Sequence, residues 1–97
     1  MLKEISFKKK PVFIENLEKN GGTNYKVYEY QHLTVISGKE KKKKNDDYKI
    51  HITVNSKKRY GATDDELNMI AKEILKEKPY KIKKSFFMRT VAHIYEI

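Results

Sequence analysis

The sequence predicts one α+β domain over residues 1–97, in which a single helix covers one face of a mostly antiparallel sheet of about four strands. Two observations support this prediction. Several segments alternate between polar and apolar residues, and one segment after Thr63 has helical periodicity. Clean alternation is typical of an antiparallel sheet with one buried and one open face. The predicted order of elements is β-β-β-α-β.

The first two strands are predicted from β-forming residues bounded by turn residues. A short strand is expected at residues 11–15, with Pro11 at its edge. Asn20-Gly21-Gly22 is a strong turn signal. Residues 24–37 then form a long strand candidate. Because side chains alternate along a strand, we expect one face with Leu33 and Val35 and an opposite face with Tyr28, Tyr30, His32, Thr34 and Ile36.

The clearest strand is residues 48–55, where an apolar face alternates with a polar face that includes Lys49, His51 and Thr53. The preceding segment, residues 38–47, contains four consecutive lysines that repel one another, so we expect a mobile hairpin tip. A final strand is predicted at residues 85–97. If its Ala92 and Ile94 pack on the helix, His93 joins His32 and His51 on the open face, together with Tyr95.

The helix is predicted from a capping box and an apolar stripe. Thr63 and Glu66 have the spacing at which each side chain caps the other residue's backbone N–H. Pro79 provides a stop signal after the helix. The apolar residues that follow the capping box recur at helical spacing and would face the sheet: Leu67, Ile70, Ala71, Ile74 and Leu75.

The charge of the chain favours polyanionic partners. The formal net charge is +9, and of the 22 basic residues just Arg59 and Arg89 are arginines. Lysine-rich surfaces suit sequence-independent attraction to phosphates better than base-specific recognition. The predicted partner is therefore nucleic acid or a nucleoprotein complex, with a host protein as an alternative. The candidate binding residues are Lys41, Lys42, Lys43, Lys44, Lys49, His51, Tyr28, Tyr30, Arg89 and His93.

The sequence also limits other classes of function. Without cysteine there is no disulfide framework or thiolate metal site. No apolar segment approaches the length of a membrane span or a signal peptide, so we expect a cytoplasmic protein without a membrane partner. A zinc site on His32, His51 and His93 lacks any helical pair of histidines to preset its geometry, and no metal or cofactor is predicted. The oligomeric state is left open.

From Tyr48 onward, the chain resembles a family of uncharacterised phage-encoded proteins. The resemblance rests on Ile50-His51-Ile52-Thr53-Val54, on the basic Lys57-Lys58-Arg59-Tyr60, on the helix start at residues 62–67 and on the closing strand at residues 91–96. It implies a viral or prophage origin and a bacterial host cytoplasm. Small lysine-rich phage proteins are often accessory or counter-defence factors, and anti-CRISPR proteins are one such class. A counter-defence inhibitor is therefore one example of the expected function.

A near-repeat, His32-Leu33-Thr34-Val35 and His51-Ile52-Thr53-Val54, resembles the paired motifs of two-histidine phosphoesterases. That resemblance implies that His32 and His51 act as base and acid at a phosphodiester of RNA or of a cyclic nucleotide, while Thr34 and Thr53 hold phosphate oxygens. An enzyme is the alternative to the binding protein, and a structural or assembly protein is the third interpretation. An ordinary half-exposed strand also produces this pattern, because threonine is a favoured strand residue.

Overall fold

The computed structural model describes residues 1–41, 47–59 and 61–97. The elements in chain order are β1 (Lys3–Ile5), α1 (Val12–Lys19), β2 (Thr23–Tyr30), β3 (Leu33–Lys41), β4 (Tyr48–Ser56), α2 (Asp64–Leu75), β5 (Tyr80–Lys84) and β6 (Thr90–Glu96). All pairings are antiparallel, and the strands lie in the order β1-β2-β3-β4-β6-β5. The α+β class and the antiparallel sheet are confirmed. The sheet has six strands rather than about four, and there are two helices rather than one.

Helix α2 forms as its sequence predicts. The Thr63 hydroxyl accepts a hydrogen bond from the backbone N–H of Glu66 at 3.1 Å, and the Glu66 carboxylate accepts one from the Thr63 N–H at 2.9 Å. The helix ends at Leu75, before Lys76 with its positive φ of 60°, so Pro79 lies beyond the end. Four members of the predicted stripe are buried, namely Leu67, Ile70, Ala71 and Leu75, and Ile74 is partly buried against them.

The sheet contributes the other half of this core. Val35 pairs with Val54, which pairs with Ala92, and Ile52 pairs with Ile94. These side chains are completely buried and share one cluster with α2. Because neighbours along a strand point to opposite faces, the alternate residues of β4 and β6 face away from α2. This strand phase determines which residues remain available for a ligand.

Residues 11–15 were predicted as a strand, and that prediction was wrong. They start α1, where the N–H groups of Ile14 and Glu15 donate to the carbonyl of Pro11. A short apolar run does not distinguish a strand from a buried helix turn. The residues that follow, up to Lys19, favour a helix. The predicted turn ends the helix, and Gly21 adopts a φ of 101° there. The helix buries Ile14 near Val27, on the side of the sheet opposite α2.

The long strand predicted for residues 24–37 is instead two strands. β2 and β3 form a hairpin, with Gln31 and His32 as a two-residue turn and Gln31 at φ 52°. The turn contains no glycine or asparagine, which are the usual signals for a turn of this length. Its effect is to reverse the chain, so Tyr28 pairs with Val35 and Tyr30 with Leu33. The two tyrosines therefore lie on the α2 side, not on the open side that was expected.

The predicted strand at residues 85–97 begins only at Thr90. Phe86, Phe87 and Met88 lie in the loop that joins β5 to β6, where Phe86 is 97% exposed. Strand β5, at the sheet edge, was not predicted. Its alternation between Tyr80, Ile82 and the intervening lysines is the signal that was overlooked.

The hairpin predicted around residues 38–47 forms between β3 and β4, and the first part of the predicted mobile tip is strand instead. Residues 38–41 belong to β3, which pairs with β4 as far as Lys41 and Tyr48. The candidate binding residues Lys42, Lys43 and Lys44 lie outside the described residues. Neither α1 nor α2 is long and apolar enough to cross a bilayer.

Candidate functional site

The candidate site lies on the side of β4, β6 and β5 that faces away from α2, which we call the open face. The register aligns its side chains in two rows across the three strands. The first row contains His51, Tyr95 and Lys81, and the second contains Thr53, His93 and Lys83. The site therefore gathers residues that are far apart in the sequence, such as His51 and His93, which are 42 positions apart.

A continuous hydrogen-bonded chain joins three side chains of this site. The Glu40 carboxylate lies 2.9 Å from Nδ1 of His51, and Nε2 of His51 lies 2.9 Å from Nδ1 of His93. The contact between two imidazoles requires one nitrogen to donate and the other to accept, so it cannot persist when both rings are protonated. Both ring nitrogens of His51 thus have a hydrogen-bond partner, Glu40 on one side and His93 on the other, and these two contacts fix the orientation of the ring.

Tyr95 holds the two imidazoles by stacking. Its ring is almost parallel to the His51 ring, with an interplanar angle of 2° and a centroid distance of 4.7 Å. The ring centroids of His51 and His93 are 5.0 Å apart. Stacked aromatic pairs add attraction beyond the surface that they bury, about 0.5–1.5 kcal/mol. The site is therefore organised before any ligand arrives.

The electrostatic surroundings favour a neutral His93. Burial lowers the pKa of His93 below its ordinary 6.5, and the nearby His51 and Lys83 lower it further, while Glu40 acts in the opposite direction. Lysine ammonium groups border the same site. Lys81 Nζ lies 5.8 Å from the centroid of the Tyr95 ring. A cavity of about 370 Å³ opens beside His51, and its lining includes Glu40, Lys49, Lys81 and Tyr95.

The structure does not assemble the four residues that the phosphoesterase resemblance implies. His32 lies in the β2–β3 turn, where its Nε2 is 3.1 Å from the Gly61 carbonyl. Because His51 pairs with Gly38, six residues further along β3, His32 and His51 are roughly 20 Å apart. Thr34 pairs with Asn55 and lies roughly 13 Å from His51. Of the four residues, His51 and Thr53 belong to the site, where Thr53 pairs with His93.

Some of the predicted nucleic-acid residues lie in or beside the site, and others lie elsewhere. His51 and His93 lie in the site, and Lys49 borders it through an ion pair with Glu96 at 4.0 Å. Lys41 lines the adjacent cavity. Tyr28 and Tyr30 pack against the α2 core instead. Arg89 is exposed in the β5–β6 loop, four residues before His93, and thus lies roughly 13 Å from it.

Three members of the site were missed from the sequence. Glu40 was assigned to the hairpin tip, but it is a strand residue that pairs with Lys49. Lys81 and Lys83 were missed together with β5. The alternation of β5 reveals their common face, and the short loop to β6 favours pairing of these two consecutive strands, so both lysines could have been found from the sequence.

The histidines do not form the zinc site that was considered, because His32 is remote from the other two. Within residues 1–41, 47–59 and 61–97, no group of three or more His, Cys, Asp or Glu side chains has an arrangement that would hold a metal ion.

Comparisons of this chain with protein-family models, with curated proteins and with solved structures each return no match.

Proposed function

We propose that the protein binds single-stranded nucleic acid through its open face. The observation that supports this proposal best is the stacked pair of His51 and Tyr95, flanked by Lys81 and Lys83 on a part of the sheet that α2 leaves uncovered. Aromatic rings among cations are the arrangement by which sheets bind unpaired bases, and the rings of this site are partly exposed. The rings stack on the bases while the ammonium groups contact the phosphates.

The charges of the site are consistent with an anionic ligand. The net charge of +9 attracts polyanions from a distance, and Lys81 and Lys83 of β5 are exposed. The acidic side chain beside the rings, Glu40, has a hydrogen-bond partner in His51 and is half-buried. Phosphates would therefore approach along the edge strand β5, away from Glu40.

The resemblance to phage-encoded proteins adds a biological setting to this proposal. A nucleoprotein complex of the host, such as a defence nuclease with its guide or target, presents single strands that the open face would bind. The phage origin and the counter-defence role stay predictions, as do the cytoplasmic location and a host protein as direct partner.

A salt titration tests the proposal. The affinity for a fluorescein-labelled single-stranded oligonucleotide, followed by fluorescence anisotropy, should fall steeply as salt increases. The double variant Lys81→Gln/Lys83→Gln should bind more weakly, and its slope of log K against log salt should be smaller by about 1.4, or about 0.7 for each lost phosphate contact.

The matched control is Lys26→Gln/Lys72→Gln, which removes the same charge from exposed positions. Lys26 pairs with Ser37 on the α2 side, and Lys72 lies in the last turn of α2. This control should retain most of the affinity. Equal losses in the two double variants would show that net charge alone attracts the nucleic acid. No binding at low salt would exclude the proposal.

A further inference from the structure

The connection between Glu40, His51 and His93 is more than a binding surface requires. Stacking and phosphate contact need rings and cations, but they do not need a carboxylate joined through one imidazole to a second. A carboxylate that orients an imidazole is the arrangement by which enzymes position a general base and stabilise the cation it becomes. In the part of the chain that the structure describes, no group hydrogen-bonds to Nε2 of His93.

We propose that this cluster cleaves RNA, with His93 as the general base at a phosphodiester bound on the open face. This inference rests on the proposed function, because the strand must first bind there. RNA is the substrate class because its ribose 2′-hydroxyl lies next to the phosphate it would attack. The reaction is then intramolecular, with the entropic advantage of a held nucleophile.

Each residue of the cluster has a distinct role. His93 is the catalytic residue, and its free Nε2 takes the proton. His51 and Glu40 are positioning residues, since they act on the substrate only through His93. With Nδ1 of His51 donating to Glu40, its Nε2 accepts from Nδ1 of His93. This assignment leaves the lone pair of His93 on Nε2, where a base must have it.

The step forms one P–O bond and breaks another. Nε2 of His93 removes the proton from the 2′-hydroxyl, and the O2′–P bond forms. The P–O5′ bond breaks with its electron pair on O5′, which takes a proton from a water molecule. The hydroxide left by that water accepts the proton that His93 releases. The products are a 2′,3′-cyclic phosphate and a free 5′-hydroxyl.

The surrounding cations would stabilise the charge that develops in this step. Lys83 pairs with His93 across the β5–β6 ladder, so its ammonium can lie beside a phosphate held near that ring. Fixed positive charge next to a pentacovalent phosphorus stabilises the transition state more than the ground state. Lys81 lies one row away, above Tyr95, and suits the neighbouring phosphate.

The experiment uses an oligodeoxynucleotide that contains a single internal ribonucleotide, together with the all-DNA oligonucleotide of the same sequence, both in EDTA. The protein should bind both. It should cleave just the chimera, on the 3′ side of the ribonucleotide, and leave a 2′,3′-cyclic phosphate that mass spectrometry identifies. His93→Gln should reduce the cleavage rate, measured at saturating protein, by about 10²–10⁴-fold, which a change in affinity alone would not do. His32→Gln, remote from the site, should cleave like the wild type.

The pH–rate profile separates positioning from mere structural support. The rate should rise with pH and level off above the pKa of His93, because the base must be neutral. Glu40 raises that pKa. Glu40→Gln should therefore shift the rising part of the profile to lower pH and also lower the plateau. A profile that keeps its position in Glu40→Gln would show that the Glu40 charge does not act on His93.

Two results would overturn the inference. One is a chimera that is bound but stays intact, which leaves the binding proposal standing. The other is cleavage that persists unchanged in His93→Gln, whose fold is verified by circular dichroism. Failure to bind the all-DNA oligonucleotide would contradict the proposed function instead, so the two failures are distinguishable.

Discussion

At the scale of residues, the open face shows how side chains of ordinary strands acquire a common chemistry. Glu40, His51 and His93 belong to three adjacent strands, and each makes a 2.9 Å contact with its neighbour. Tyr95 stacks on His51 and limits the freedom of both rings. Of these groups, His93 is partly buried beside His51 and Lys83, and its pKa is lower in the folded protein than its ordinary value.

The stability of the protein should therefore depend on the protonation of His93. Its pKa is below 6.5 in the folded protein, so the unfolded chain takes up this proton at higher pH. The free energy of unfolding is then highest above pH 6.5 and decreases as the pH falls through the lower folded value. Urea denaturation between about pH 8 and about pH 5 should show a steeper loss for the wild type than for His93→Gln. If the free energy of unfolding changed with pH equally in the wild type and in His93→Gln, this linkage would be contradicted.

Gly38 is a second residue whose role depends on a neighbour. It pairs with His51, and the Tyr25 ring lies over it, where a Cβ on residue 38 would overlap the ring. Gly38→Ala should therefore destabilise the protein by about 1–3 kcal/mol, as overpacking does. The measurement is urea denaturation within a double-mutant cycle. In a Tyr25→Ala background the same change should have little effect, and an equal loss in both backgrounds would exclude a clash with Tyr25.

At the scale of elements, local sequence signals explain some helices and strands, whereas tertiary packing explains the others. Helix α2 has a capping box and a stripe of suitable length, and both were readable from the sequence. The signals of α1 were weaker, because its apolar run is short and Pro11 also suits the start of an edge strand. The β2–β3 turn has no glycine. Gln31 adopts a positive φ there because the pairing of β2 with β3 requires a tight turn.

The capping box gives a prediction for α2. Thr63→Ala removes the hydroxyl that accepts from the Glu66 N–H, and it should lower the free energy of unfolding by about 1 kcal/mol. Glu66→Gln is the matched control, since glutamine also fits the capping box. It should retain most of the stability in urea denaturation. An unchanged free energy of unfolding in Thr63→Ala would contradict a stabilising cap, whereas a large loss in Glu66→Gln would show that the carboxylate charge at the start of the helix also contributes.

At the scale of the whole molecule, the sheet separates two unequal layers. On one side, α2 covers a continuous core that reaches from Leu33 to Ile94. On the other side, α1 covers the β2 end through Ile14 and Val27, and the surface of β4, β6 and β5 stays open. The same sheet therefore provides stability on one face and a candidate binding surface on the other.

This asymmetry predicts unequal effects of truncation in the two layers. Ile70→Ala, in the centre of the α2 core, should destabilise the protein by about 2–5 kcal/mol. Ile14→Ala should lower the free energy of unfolding clearly less, because α1 packs mainly on β2, away from the main core, and can shift to fill the space. Urea denaturation of both variants compares them directly. A larger loss for Ile14→Ala would make α1 part of the main core.

The sequence by itself determined the features that depend on neighbours along the chain. These are the α+β class, helix α2 with its cap, the phase of strand β4 and the net charge, because periodicity and capping are local properties. Strand β4 was predicted with His51 on its open side, and the structure agrees.

The tertiary structure decided which strands are neighbours, and with them the composition of the site. It paired β4 with β6, which brings His93 rather than His32 to His51, and Lys81 and Lys83 follow because β5 pairs with β6. Strand order depends on how the whole sheet buries its apolar side chains against α2. No local pattern encodes that choice, because several strand orders satisfy the same alternation.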